Sequence, residues 1–142
     1  MNRDPRSVPP APGATGLNAL VWFIQVFLAI QYLIHGWIFF SPPAAMAEAM
    51  AASGMNPGFR QFIGIAEILA SIGLVLPALT RILPWLTPFA ALGLTIVMAS
   101  ATIYHLGRGE VPNAISAVNL LMLVAVTAYL RWKVVPIRSR DA

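Results

Sequence analysis

The chain has 142 residues, no cysteine, and only five acidic side chains against nine basic ones. Without cysteine it forms no disulfide, no thiolate metal site and no thiol relay of its own. Charged residues make up 10% of it, where a soluble domain carries about 25%. So few charges cannot cover a surface facing water, and with 58% hydrophobic residues the implied solvent is lipid. The excess of base is not clustered on a polar domain, so it argues for membrane topology and against a nucleic-acid partner. Strict alternation of apolar and polar residues is also missing, which excludes the strands of a membrane barrel.

What is present is four long apolar runs, about Leu17–Phe40, Phe59–Thr80, Ile82–Leu106 and Val111–Trp132. Each is close to the roughly 20 helical residues needed to cross a bilayer. The expected fold is therefore an all-α, antiparallel bundle of four transmembrane helices over residues 17–132. A disordered N-terminal tail (1–16) and a basic C-terminal tail (133–142) flank it. The first run is too long for the 7–15-residue core of a signal peptide, so it is expected to stay as a span. Pro84 and Pro88 fall in the first turns of span three and Pro112 opens span four, where a missing amide is tolerated. Pro77 is expected to kink or end span two. Between the first two spans, "SPPAAMAEAMAASGMNPG" predicts a short interfacial helix stopped by Gly54 and a turn at Asn56-Pro57-Gly58.

Charge sets the expected orientation. Arg3, Arg6, Arg81, Arg131, Lys133, Arg138 and Arg140 fall on one side, and Arg60 and Arg108 on the other. This asymmetry puts both termini in the cytoplasm. Trp22, Trp85 and Trp132 are then expected at the inner interface and Trp37 at the outer one.

Glu67 is the one acid inside an apolar span. At about 1.5 Å per residue it lies roughly 10 Å below Arg60. Asn119 lies at a similar depth in span four. His35, with Gln31 one turn below it, lies near the outer end of span one, and His105 beside Tyr104 near that of span three. Arg60, Gly64, Glu67 and Ser71 form one helical stripe, which should face the bundle interior because intramembrane charges avoid lipid. The expectation is an outward-facing polar pocket, roofed by the outer loop and lined by His35, Glu67, His105 and Asn119, with Arg60, Gln31 and Tyr104 nearby. Such a set can relay protons or hold the polar head of a lipid-soluble ligand such as a quinone. The structural alternative is that these groups only pin helices together. Two histidines and a carboxylate can also ligate a metal, and two histidines a haem, but no local ligand spacing supports either.

The run "EILASIGLVLPALTRILPWLTPFAALGLTIVMASATIYH", followed by "NLLMLVAVTAYLRW", resembles the DoxX-like membrane proteins. The matching positions are Glu67, Gly73, Pro77, Pro84, Pro88, Ala90, Ala91, Gly93, His105, Asn119 and Arg131, with His35-Gly36 in span one. The resemblance implies a four-helix protein of a bacterial inner membrane. It also implies kinship with subunits of a thiosulfate:quinone oxidoreductase and with redox-stress complexes. It supplies no catalytic residues, and whether this chain is an enzyme stays open. The functional expectation is a small subunit that binds a quinone-like ligand and supports a redox partner protein. The alternatives are an assembly or scaffold protein, with self-association also open, and a transporter. Four spans without a second half to rock against make the last a poor fit.

Overall fold

The computed structural model describes residues 14–140. Within them the chain runs α1 (Ala14–Phe40), α2 (Ala44–Ala52), α3 (Pro57–Thr80), α4 (Leu86–Gly107) and α5 (Val111–Tyr129), closing with a π-helical turn over Leu130–Val134. Four of these helices are long and apolar enough to cross a membrane. The tail expected over residues 1–16 falls mostly outside the described residues.

The local signals explain the helix ends. Asn56 caps α3, its side-chain oxygen accepting from the amides of Gly58 at 2.9 Å and Phe59 at 3.2 Å. Pro57 occupies the first turn, so Asn56-Pro57-Gly58 starts a helix where a free-standing turn was expected. Pro77 sits inside α3 without ending it, and the helix runs on to Thr80. Transmembrane helices accept an internal proline where neighbours satisfy the backbone it frees. Span three begins at Leu86, four residues later than expected. Arg81 and Leu83 both have positive φ (62° and 49°), and Leu83 precedes Pro84, a position biased against helix.

The large apolar side chains lie mostly on the outside. Phe23 is 72% exposed, Ile103 73% and Leu79 67%, which suits lipid and not water. The interior is a small core of Leu28, Tyr32, Leu74, Leu94, Met98 and Val124. Helix α1 packs chiefly on α3 and α4 chiefly on α5; α3 joins the two pairs by a smaller contact with α4, and a lighter one closes the ring from α5 to α1. Gln25, early in α1, meets Leu74, late in α3, while His35, late in α1, meets Glu67, early in α3. These two helices therefore run in opposite directions.

One contact sets the spacing of α1 and α3. A Cβ on Gly36 would come 2.7 Å from the Gly64 carbonyl oxygen, and one on Gly64 would come 2.8 Å from that of Gly36. Small residues let membrane helices pack backbone to backbone, and here they bring the neighbouring His35 and Glu67 within bonding range.

Candidate functional site

Helix α3 buries Gly64, Glu67 and Ser71 of the inward stripe read from the sequence, continues it with Leu74, Pro77 and Ala78, and leaves Arg60 at its top partly exposed. Glu67 is fully buried, and its Oε2 lies 2.6 Å from Nδ1 of His35. The His35 side chain is 50% exposed on the outer surface of the bundle. With the carboxyl ionised, Nδ1–H donates to Oε2, and Nε2 makes no hydrogen bond. Gln31 is exposed one turn below His35. Inside, Glu67 Oε1 and the Tyr32 hydroxyl are buried without a hydrogen-bond partner. A half-exposed imidazole is thus joined to a dry carboxyl with one oxygen unclaimed.

The structure does not gather the other candidates around this pair. His105 Nδ1 lies 2.6 Å from Glu110 Oε2, at the junction of α4 and α5. Arg108 Nε donates to the other Glu110 oxygen at 2.7 Å, and Arg108 Nη1 donates to the Ser53 carbonyl at 2.9 Å. The Tyr104 hydroxyl reaches the same carbonyl at 3.4 Å, and the Arg108 guanidinium sits 5.5 Å from the Tyr104 ring centre. This cluster is a clamp that ties the end of α2 to the α4–α5 turn. Asn119 is exposed. It follows the buried Ala117 by two residues, about 200° of rotation on a helix of 3.6 residues per turn, so equal depth places it on the opposite face. Among the described residues no group of three or more metal-ligating side chains forms, and the two histidines belong to separate pairs.

The clamp predicts a pH dependence. Hydrogen bonds from Arg108 first, and from His105 second, hold the Glu110 carboxyl down at about 2. Its ordinary value is 4.5, so it takes up protons more readily unfolded than folded. The stability it contributes is complete above pH 4.5 and is lost as pH falls toward 2. In detergent, the melting temperature is expected to drop over that window, and Glu110→Gln to flatten the drop. An unchanged slope in the variant would assign the acid sensitivity elsewhere.

A second buried polar network was not foreseen. Arg131, counted from the sequence only among the charges of the cytoplasmic side, is 3% exposed. Its Nε donates to Gln25 Oε1 at 2.7 Å, and its Nη1 donates to Asn18 Oδ1 at 2.7 Å and to the Val135 carbonyl at 3.2 Å. Nη2 is buried with no partner, and the guanidinium lies 5.2 Å from the Trp22 ring centre. The fully buried Gln25 also donates to the Leu74 carbonyl. The half of the bundle toward the chain termini therefore holds a buried cation. The missed signal is a stripe on α1, in which Val21, Gln25, Leu28, Tyr32 and Gly36 recur every three or four residues and are all buried.

The DoxX-like family profile matches residues 23–128, which includes most of the four spans and both histidine pairs. No curated protein and no solved structure matches the chain. The length of the match and the four apolar helices together establish that the chain is an integral membrane protein belonging to the DoxX-like family.

Proposed function

We propose that the chain is a small membrane subunit whose His35–Glu67 pair docks the polar head of a lipid-soluble carrier such as a quinone. The observation that carries the reading is the 2.6 Å bond between a half-exposed imidazole and a fully buried carboxyl. Exposed polar groups are costly against lipid, so His35 and Gln31 side by side on the α1 surface suit a ligand arriving laterally from the bilayer. A carbonyl or hydroxyl of the carrier meets Nε2 of His35, while the proton on Nδ1 is shared with Glu67. An imidazole has one nitrogen that donates and one that accepts, which fits it to pass a proton to or from the carrier. Electrons go to or from the redox centre of a partner protein.

The expected pocket is thereby relocated from an outward mouth to the side of the bundle. The test is extraction of the purified protein with its endogenous lipids, followed by mass spectrometry. A quinone at one per chain supports the reading, and a chain with none contradicts it.

Asn119 favours a second reading, an assembly protein. An exposed carboxamide about eight residues into α5 sits deep in the membrane, where side-chain amides bind neighbouring helices. A partner protein, or a second copy, captured through Asn119 with no quinone present supports this alternative.

The membrane in question is taken as a bacterial inner membrane, with both termini in the cytoplasm. Charge supports that orientation, because Arg81, Arg131, Lys133, Arg138 and Arg140 share the terminal end with Arg3 and Arg6 of the sequence. Reporter fusions after Ala142 and beside Glu48 are expected on opposite sides of the membrane. A common side for both would overturn the topology.

A further inference from the structure

We propose that the space beneath α2 is a binding site for an anionic amphiphile, with Arg60 receiving the charged head. A cavity of about 520 Å³ lies there, lined by Pro42, Ala47, Met50, Met55, Pro57 and Arg60 among others. Helix α2 roofs it, yet buries none of its own nine residues. A helix built from alanine and methionine with no buried residue has an apolar surface still to cover. It is held in place instead from its end, where Arg108 and Tyr104 bond the Ser53 carbonyl.

Arg60 specifies the sign of the ligand. It lies in the first turn of α3, its amide bonded to the Asn56 carbonyl at 3.0 Å. A cation there opposes the helix dipole, whose positive end favours anions. Arg60 also makes no ion pair among the described residues, and its Nε is buried without a partner. The nearby acids do not serve it, since Glu67 is held by His35 and Glu110 by Arg108 and His105. Glu48 is exposed on α2 and makes no ion pair with it.

A guanidinium with an open donor takes a carboxylate or a phosphate through charge-assisted hydrogen bonds. The methionine, alanine and proline walls take an acyl chain, and methionine adapts to chains of different shape. A fatty-acid carboxylate and the phosphate of an anionic phospholipid offer the same chemistry. This site shares no residue with the His35–Glu67 pair.

The experiment is native mass spectrometry of the full chain in detergent, titrated separately with oleate, dioleoyl phosphatidylglycerol and oleyl alcohol. Wild type is expected to retain one oleate or one phosphatidylglycerol, and which of the two it retains identifies the source. Arg60→Met should weaken that binding roughly tenfold or more, as the loss of a charge-assisted hydrogen bond implies. Ala47→Trp, which fills the cavity and keeps Arg60, should weaken it as well and decides the matter if Arg60→Met does not fold. Glu67→Gln should leave it unchanged, which separates this site from the quinone reading. Binding of neither anion, oleyl alcohol bound as tightly as oleate, or full binding in both cavity variants would overturn the proposal.

Discussion

Glu67→Gln is expected to abolish quinone binding while leaving the fold and the melting temperature near those of wild type. The amide keeps an oxygen that accepts from His35 Nδ1–H, and it removes a desolvated charge. Replacing a buried charge by a neutral group is often neutral or mildly stabilising. What the amide cannot do is take up and release a proton, so His35 loses the partner that shares its proton when the ligand is bound. Glu67→Leu is the control. It removes the acceptor altogether, leaves the inner side of His35 unpaired beside a dry core, and should cost about 1–3 kcal/mol in stability. If the pair is a site, Gln and Leu both lose decylubiquinone binding by tenfold or more, whatever their stabilities. If the pair is only a structural pin, Gln binds and melts like wild type, and Leu fails through unfolding alone. Measuring binding and melting on the same preparations distinguishes the two outcomes, and a Gln variant with full affinity would sink the site reading.

The spans and the polar stripe of α3 were legible because each rests on a strong one-dimensional signal. Long apolar runs have few other readings, and Gly64, Glu67 and Ser71 keep helical spacing in a segment with little else that is polar. The His35–Glu67 pair followed from depth because the close approach at Gly36 and Gly64 fixes α1 against α3. Asn119 and His105 did not follow, for two different reasons. Depth along a helix says nothing about azimuth, and Asn119 is turned away from the bundle by two residues of rotation. His105 lies two residues from the end of α4, where Glu110 in the adjoining turn takes it. The inner network stayed hidden because a cation at the end of a span usually reaches for headgroup water. Arg131 turns inward instead, in a π-helical turn closed by the Val135 amide on the Leu130 carbonyl at 2.7 Å. A turn of that kind, and the acceptor that Val135 presents back to Arg131, are not encoded in hydrophobic periodicity.

Gln25→Leu is expected to be among the most destabilising single changes in the bundle, at about 3 kcal/mol, the upper end for stranding a buried donor. Ordinary interhelical hydrogen bonds in membranes contribute only about 0.6 kcal/mol, so the expectation depends on the charge. Gln25 is what connects Arg131 to α3, because it accepts from Nε and donates onward to the Leu74 carbonyl. Leucine at 25 leaves a guanidinium that already has one bare nitrogen with a second, in a setting with no described acid nearby. Arg131→Met should do less harm. It removes the charge together with the need for acceptors, and of the three oxygens that lose a donor only that of Gln25 is buried, Asn18 being exposed and Val135 partly so. The double variant, Gln25→Leu with Arg131→Met, should return close to wild type, since well-packed apolar replacements of buried polar groups are often neutral or better. A double-mutant cycle by thermal unfolding in one detergent should thus show strong coupling, with the pair far more stable than the sum of the single losses. If Gln25→Leu melts within about 0.5 kcal/mol of wild type, a value ordinary for surface changes, Arg131 has left the interior for the headgroups. The buried network would then be a dispensable resting place for that side chain, and the termini-bearing end of the bundle would owe its stability to the packing of Trp85, Phe89 and Trp132 instead.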